Sequence, residues 1–528
     1  MTGIALLLAG AAVAFGLARW LRLPAVPFLL VTGLGLNLVG LMPERALLED
    51  ALQLGLAFLV FAAGIELNPQ RVGPQRGAAV RVGLAQFVVL GLVGFGAVSL
   101  LGVPIEEAIY LALALAASST LLVVRLLQQR KQMFEPFGRL VLGVLLMQDM
   151  LVILLLPLVT GLPEGFAEML RGVAGSAVLV LSAVAFIRWG APFLIIRMNL
   201  DEEALLLVSL GTLFLFIGAA QWLALPMIAG AFLAGVALSG FPVNGIVRGQ
   251  LGSLSDFFLA TFLIALGGLV GIPEPRDLVI ALVLIAIVVL LTPPLVTMIA
   301  ETAGLSARAA IESGLLLAQT SEFSLVVALQ GLTAGHLRDE VLTIVLITTM
   351  VTMFLTPFLA TNRMTWRLMR YHPLRRREPL IDPPEGHVLL LGCGDNGLPL
   401  LETLMTAGHD VLVVDDDPAV IEALREGDVR CIRGDGSDFE VLRRAGADRA
   451  RAIISTMRRP RDSMHLLGQV SDVPVFVRVF DDIDAERIRR RGGIPISYAE
   501  AATDDFLSWL DQATEFGLSR ERRRRPRK

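Results

Sequence analysis

A carboxylate stands in the middle of a run that otherwise reads as hydrocarbon. In GRLVLGVLLMQDMLVILLLPL, residues 138–158, Asp149 follows Gln148 and is flanked on both sides by apolar residues. An ionisable group at bilayer depth costs about 2.5–3.5 kcal/mol on insertion scales, so it marks an ion or proton path unless a neighbouring helix merely ties it down. Two further apolar runs carry polar residues near mid-span, Ser118-Ser119-Thr120 and Gln319-Thr320-Ser321-Glu322. Small hydroxyls there satisfy backbone groups released by an unwound turn, or hydrogen-bond to a neighbouring helix. Two broken helices crossing at these positions aim half-helix ends at one point, offering partial positive charge from N-termini and carbonyl oxygens from C-termini. Glu322 is placed to offset the positive ends. A carboxylate stripped of water holds a proton or, once ionised, a dehydrated monovalent cation, and each excludes the other. Asp149 is thus the expected ligand for a transported cation, with Ser119, Thr120 and Glu322 at the crossing. A single acid predicts one-for-one exchange.

A second chemistry lies near the C-terminus. In HVLLLGCGDNGLPLLETLMTAGHDVLVVDDDP, residues 387–418, an apolar strand runs into Gly392, Gly394, Asp395, Asn396 and Gly397, then a helix, then a strand ending in Asp415. A GxGxxG between strand and helix, with an acid about 20 residues on, is the context of a dinucleotide-type fold. Glycines let a phosphate approach the backbone at a helix N-terminus, and Asp415 is placed to accept from ribose hydroxyls. Asp435, in RGDGSD (433–438), joins this set. The histidines are scattered, no metal-ligand spacing appears and no hydride-transfer partner domain is visible, so the module reads as a sensor rather than an enzyme.

The elements that must carry these residues divide the chain between two solvents. Of 528 residues, 55% are hydrophobic and 18% charged, too apolar an average for a single soluble domain. Residues 1–361 hold 17 of the 45 Lys and Arg and 21 of the 49 Asp and Glu. About thirteen apolar stretches are expected there: 2–18, 25–40, 50–66, 78–101, 105–124, 137–160, 169–187, 203–222, 225–240, 255–271, 278–299, 307–331 and 341–361. Loops alternating onto one side carry thirteen Arg or Lys against four on the other, which predicts an external N-terminus and a cytoplasmic C-terminal half at the cell inner (plasma) membrane. Landmarks recur at an offset of about 200 residues: Pro27, Gly35 and Gly40 against Pro226, Gly235 and Gly240, and Gly64 against Gly267 or Gly268. Seven spans separate the copies, so the second runs inverted, as in secondary transporters. Residues 362–386 read as an Arg- and Pro-rich linker that can rest on anionic lipid. Residues 387–500 read as the α/β Rossmann-like domain, with further strands at 428–432, 451–455 and 474–479, and 501–528 as a basic tail. The two cysteines give no disulfide framework, and no nucleic-acid role is suggested.

FAAGIELNP (61–69), ALAASSTLLVVRLL (114–127), GRLVLGVLLMQD (138–149), AGAFLAGVALS (229–239) and LAQTSEFSLVVA (317–328) resemble the corresponding stretches of Kef-type monovalent cation:proton antiporters, in the second cation:proton antiporter family. The Gln-Asp pair is the element of that family's potassium-efflux branch. The resemblance implies that Asp149 alternately binds cation and proton, that Gln148 neighbours the ion, and that Ser119, Thr120 and Glu322 belong to the crossed helices. Ser321 stands where that family usually has Gly, and TFLIALGGL (261–269) departs from its FFxSVGM pattern. RGDGSD with RAIIST (451–456) resembles the TrkA-N or RCK domain of potassium channels and transporters, which implies an adenine nucleotide ligand, AMP or NAD(H), and a homodimer. Asp395-Asn396 stands where many such domains have Arg-Val, removing an expected phosphate-pairing cation.

Three competing functions remain distinguishable. A sodium/proton antiporter of the same fold differs in the cation carried. An RCK-gated potassium channel requires a carbonyl filter of the TVGYG sort, which the sequence lacks. A membrane-anchored NAD-dependent enzyme would turn nucleotide over and be indifferent to Asp149.

Overall fold

The structure, a computed structural model, describes residues 2–21, 23–43, 45–66, 75–130, 132–133, 135–161, 165–190, 202–239, 243–271, 273–369, 385–394, 397–457, 459–470, 472–497 and 503. Contacts divide the chain into two compact units: residues 1–303 with 309–371, and residues 372–528 with Gly304–Arg308.

Among its described residues the first unit contains helices and no strand. Its helices are α1 (Thr2–Leu21), α2 (Ala25–Leu38), α3 (Arg45–Glu66), α4 (Arg76–Leu100), α5 (Ile105–Leu115), α6 (Thr120–Gln129), α7 (Pro136–Gly161) and α8 (Phe166–Ala185). A π-helical turn, Phe186–Gly190, extends α8. There follow α9 (Glu202–Trp222), α10 (Met227–Ala237), α11 (Val243–Gly268), α12 (Pro275–Thr302), α13 (Ala307–Leu317), α14 (Glu322–Thr333), α15 (Asp339–Leu359) and α16 (Asn362–Met369). Among the described residues, nine segments are long and apolar enough to cross a membrane, and two of them, Ile105–Gln129 and Ala307–Thr333, are interrupted inside. Four shorter apolar helices, Ala5–Leu21, Ala25–Leu38, Met227–Ala237 and Leu254–Gly268, fall on the remaining expected stretches. Leucine and tryptophan side chains such as Trp20, Leu92, Leu207, Trp222, Leu282 and Leu290 lie exposed on this unit, as hydrocarbon-facing residues must.

Helix α3 begins five residues before its expected stretch, α6 ends five residues after its own, and the strand expected at 428–432 lies at Cys431–Arg433; two further boundaries differ more. Helix α11 begins at Val243, twelve residues before the apolar stretch, because Asn244, Arg248 and Gln250 are compatible with helix but invisible to a hydropathy count. Helix α16 occupies the start of the segment read as linker: NRMTWRLM buries Thr365 and Met369 and leaves its arginines outside, an amphipathic pattern that the Arg content conceals. The middle of that segment, 370–384, and most of the tail, 504–528, lie outside the described residues.

The internal repeat has a register of 202 to 203 residues, fixed by packing. Pro24 precedes α2 and Pro226 precedes α10 with nearly identical backbone angles, so Pro24, not Pro27, is the counterpart of Pro226. A Cβ on Gly33 would collide with the Ile264 carbonyl of α11, and one on Gly235 would collide with the Phe61 carbonyl of α3. Gly267 and Gly64 return these contacts, against Leu30 and Phe232 respectively. Each copy therefore packs a helix against one from the other copy through backbone close enough to exclude any side chain. Gly35, by contrast, has open space around it, and Gly240 lies outside the described residues.

The second unit carries a six-stranded parallel sheet: β1 (Val388–Leu391), β2 (Val411–Asp415), β3 (Cys431–Arg433), β4 (Ala452–Ser455), β5 (Val475–Val479) and β6 (Ile494–Ser497), in the order β3-β2-β1-β4-β5-β6. Strand order reverses between β1 and β4, the crevice where doubly wound folds take their ligands. Strands β1 and β2 are buried at every position, as continuous apolar runs covered on both faces should be. Strand β6 has no counterpart in the expected pattern; its four residues, IPIS, are half-exposed edge residues with little hydropathic signal.

Candidate functional site

Residues 116–119 and 318–321 break the two mid-span helices, and the breaks are closed by hydroxyls. Ser119 precedes α6 and accepts from the Leu122 N–H at 3.3 Å; Ser321 precedes α14 and accepts from the Phe323 N–H at 3.0 Å. A helix N-terminus has N–H groups without helical partners, so a hydroxyl at this position is favoured. The C-terminal ends are closed crosswise. Ser118 Oγ donates to the Leu317 carbonyl at the end of α13 at 2.9 Å, and Ser324 Oγ donates to the Ala114 carbonyl near the end of α5. Each interrupted helix thus supplies the hydroxyl that satisfies the other's carbonyl.

The acids sit at this crossing. Asp149, on α7, is buried and accepts from Thr120 Oγ1 at 2.7 Å, at the first residue of α6. Glu322 begins α14, and its Oε1 accepts from the Leu121 N–H of α6 at 3.3 Å, so one carboxylate stands at the positive ends of two half-helices. Gln148 Oε1 accepts from the Ser118 N–H at 3.1 Å. Asp149, Gln148, Ser119, Thr120 and Glu322 are all buried, and the structure brings them into one hydrogen-bonded neighbourhood with Ser118.

Several partners were not anticipated. Gln86, on α4, donates from Nε2 to Ser118 Oγ at 3.0 Å. Its signal was available: it is the sole polar residue between Arg81 and Ser99. Thr320 lies against α15, with its N–H donating to Thr352 Oγ1 at 3.2 Å and its hydroxyl donating to Thr349 Oγ1 at 3.0 Å. Thr348, Thr352 and Thr356 at helical spacing mark that face of α15. At the far end of α5, Arg338 donates from Nε and Nη2 to Glu107 at 2.7 and 2.9 Å, and Tyr110 Oη lies 2.9 Å from His336 Nδ1. These pairs fasten α5 to the segment joining α14 to α15. Among the described residues no cluster of three or more His, Cys, Asp or Glu side chains offers a resident metal site; the cation expected at Asp149 is cargo.

In the second unit the glycine loop has the required shape. Gly392 adopts a φ of 89°, and a Cβ on Gly397, which precedes α17 (Leu398–Thr406), would collide with the Gly392 carbonyl. Such backbone admits a phosphate where a side chain would block it, so the residues present fit a nucleotide. Thr456, just after β4, donates from Oγ1 to the Gly392 carbonyl at 2.6 Å across the crevice. Asp415 ends β2, and its carboxylate braces the loop by accepting from the Cys393 and Asp417 N–H groups. Each oxygen keeps further acceptor capacity.

Asp435 is engaged differently from expectation. Its Oδ1 accepts from the Ser437 N–H and Oγ at 2.8 and 2.6 Å, and its Oδ2 accepts from Arg308 at 2.8 Å. Arg308 also donates to Asp462 at 2.8 Å. Burial disfavours the charge on Asp435, but Arg308 and Ser437 outweigh it and hold the carboxyl below its ordinary range; at Asp462 burial prevails and the shift is upward. A cation therefore does stand within this unit, contributed from far away in sequence. Asp395 and Asn396 lie outside the described residues, and Gly394 joins Gly392 and Gly397 in the loop.

A family model for "Sodium/hydrogen exchanger, transmembrane" matches residues 4–361, and one for the TrkA-N domain matches residues 388–499. The glutathione-regulated potassium-efflux system protein KefC of Shigella flexneri serotype 5b (strain 8401) is 28% identical over 506 residues, covering 92% of this chain and 80% of that protein. Among solved structures, the sodium proton antiporter MjNhaP1 from Methanocaldococcus jannaschii matches 70% of this chain with 97% of its own, at a TM-score of 0.56 and 15% identity, a likeness of fold.

Proposed function

The chain belongs to the sodium/hydrogen exchanger family and carries a C-terminal TrkA-N domain, and from that premise we propose that it exchanges K+ for H+ by alternating access, the two ions competing for Asp149. The observation that carries this reading is a buried carboxylate bonded to Thr120 where two interrupted helices cross. The cation displaces the proton from Asp149 and takes oxygen ligands from that carboxylate and its neighbours Thr120 and Ser119. Glu322 stays with the half-helix N-termini and takes no part in the ion's turnover. With one titrating acid in the cycle, exchange is one-for-one and electroneutral. The choice of K+ is supported by the potassium-efflux relative and by the Gln148-Asp149 pair.

The TrkA-N domain acts as a regulator that binds an adenine nucleotide, AMP or NAD(H). Gly392, Gly394 and Gly397 admit the phosphates, with Asp395 and Asn396 in the same loop and Asp415 at the ribose; Asp435 acts through its tie to Arg308. The protein acts as a homodimer in the cell membrane, as the resemblance to TrkA-N or RCK domains implies; the excess of Arg and Lys in one set of loops supports an external N-terminus with residues 387–500 in the cytoplasm.

Proteoliposomes loaded with a pH-sensitive dye test this. Adding K+ should move protons in the opposite direction, adding Na+ should do so less, and AMP or NADH should change the rate. Asp149→Asn should insert normally and exchange nothing. Exchange by Asp149→Asn refutes the assignment of the carboxylate; a response to Na+ alone refutes the choice of K+; a strong response to imposed voltage refutes electroneutrality.

A further inference from the structure

Ser118 fixes the orientation of two buried amides. Its N–H can only donate, so Gln148 must turn its oxygen toward it, which leaves Gln148 Nε2 pointing elsewhere. Its hydroxyl proton is committed to the Leu317 carbonyl, so Ser118 Oγ must accept from Gln86 Nε2, which leaves Gln86 Oε1 pointing elsewhere. Neither amide can flip without losing a bond. Gln86 and Gln148 are fully buried, yet among the described residues Gln86 Oε1 and Gln148 Nε2 have no hydrogen-bond partner, and they do not bond each other. The N and O of one amide are about 2.2 Å apart, so both atoms lie within roughly 5–6 Å of Ser118.

Buried amides are rarely left half-satisfied. The two amides flank the same serine, and a single ligand that completed both would donate to Gln86 Oε1 and accept from Gln148 Nε2. A bare cation satisfies Gln86 Oε1 but is repelled by the N–H groups of Gln148. Water fits both, and Ser118 Oγ keeps a lone pair for a third bond, which is the usual coordination of an interior water.

We propose that Gln86, Ser118 and Gln148 build a water site beside Asp149, and that this water serves as a ligand of the transported cation. Gln148 precedes Asp149 on α7, and Ser118 lies two residues before Thr120, which holds the Asp149 carboxylate. With two bonds made to the amides, the water keeps a lone pair for a neighbouring cation. Gln86 is then a positioning residue that sets cation affinity without touching the cation. The inference rests on the reading of Asp149 as the exchange site.

The test uses the full-length protein in proteoliposomes, with K+ as the probe. Gln86→Leu should raise the apparent KM for K+ about tenfold while leaving the maximal rate within about twofold and the pH profile in place, the size expected for one lost buried hydrogen bond. Gln86→Glu, buried and protonated, keeps one donor and one acceptor and should restore the KM. A high-resolution cryo-EM map of the unaltered protein in K+ should contain a density peak within hydrogen-bonding distance of both Gln86 Oε1 and Gln148 Nε2. An unchanged KM in Gln86→Leu overturns the role in cation binding. A well-resolved map in which the two amides bond directly, with no peak between them, overturns the site, and it does so even where Gln86→Leu fails to insert. Exchange by Asp149→Asn overturns the premise instead, so the two failures are separate.

Discussion

Removing Arg338 should cost more than removing Glu107, although the two belong to one ion pair. Glu107 is 7% exposed and Arg338 is 61% exposed at their side chains, with the two contacts at 2.7 and 2.9 Å. Arg338→Gln strands a carboxylate away from water, whereas Glu107→Gln releases a guanidinium that solvent already reaches. Breaking a fully buried pair costs about 3–5 kcal/mol and a fully exposed pair is worth about 0–1. The one-sided burial here places Arg338→Gln at about 2–3 kcal/mol and Glu107→Gln at about 1. In the double variant the penalties should not add; the coupling expected for a bidentate contact is about 1–2 kcal/mol. Unfolding in mixed dodecylmaltoside and SDS micelles, followed by tryptophan fluorescence, yields the three differences. Equal costs for the single variants, or coupling below about 0.5 kcal/mol, would refute the account of α5 as fastened at its outer end.

The glycine contacts predict a sharp contrast: Gly235→Ala, which drives a methyl into the Phe61 carbonyl, should prevent stable insertion, while Gly35→Ala, with open space around it, should be neutral or stabilising by up to about 1 kcal/mol; expression followed by size-exclusion chromatography in detergent compares them. Burial, reinforced by the nearby Asp415, pushes the Cys393 thiol up to about 11, so at pH 8 its thiolate fraction is more than about a hundredfold below that of a free cysteine. Iodoacetamide should leave Cys393 and the buried Cys431 unmodified in the folded protein and label both in SDS, as mass spectrometry would report.

What the sequence disclosed and what it concealed follow from the range of the interaction. Apolar runs report burial in lipid residue by residue, so the helices fall close to the expected stretches, and the breaks fall at the hydroxyl clusters because free backbone groups need local partners. The parallel sheet was legible from alternating strands and the glycine loop for the same local reason. Partnerships across 200 residues were not legible. Nothing in Ser324 points to the Ala114 carbonyl, and nothing in Asp435 points to Arg308. Gln86 is intermediate: its isolation in α4 was visible, but its importance depends on Ser118, which only folding brings near. The shift from Pro27 to Pro24 teaches a similar lesson, since the repeat is held by which glycines meet backbone and not by which prolines look alike.

The crosswise bonds between the interrupted helices also restrict how this part of the protein can travel. If one broken helix withdrew alone, the Ala114 carbonyl would lose its Ser324 partner, at a cost of several kcal/mol for a polar group left unsatisfied at membrane depth, and the Leu317 carbonyl would keep only the Gln319 N–H. Any displacement that keeps α5, α6, α13 and α14 in step leaves both knots tied, so the four half-helices behave as a single cartridge.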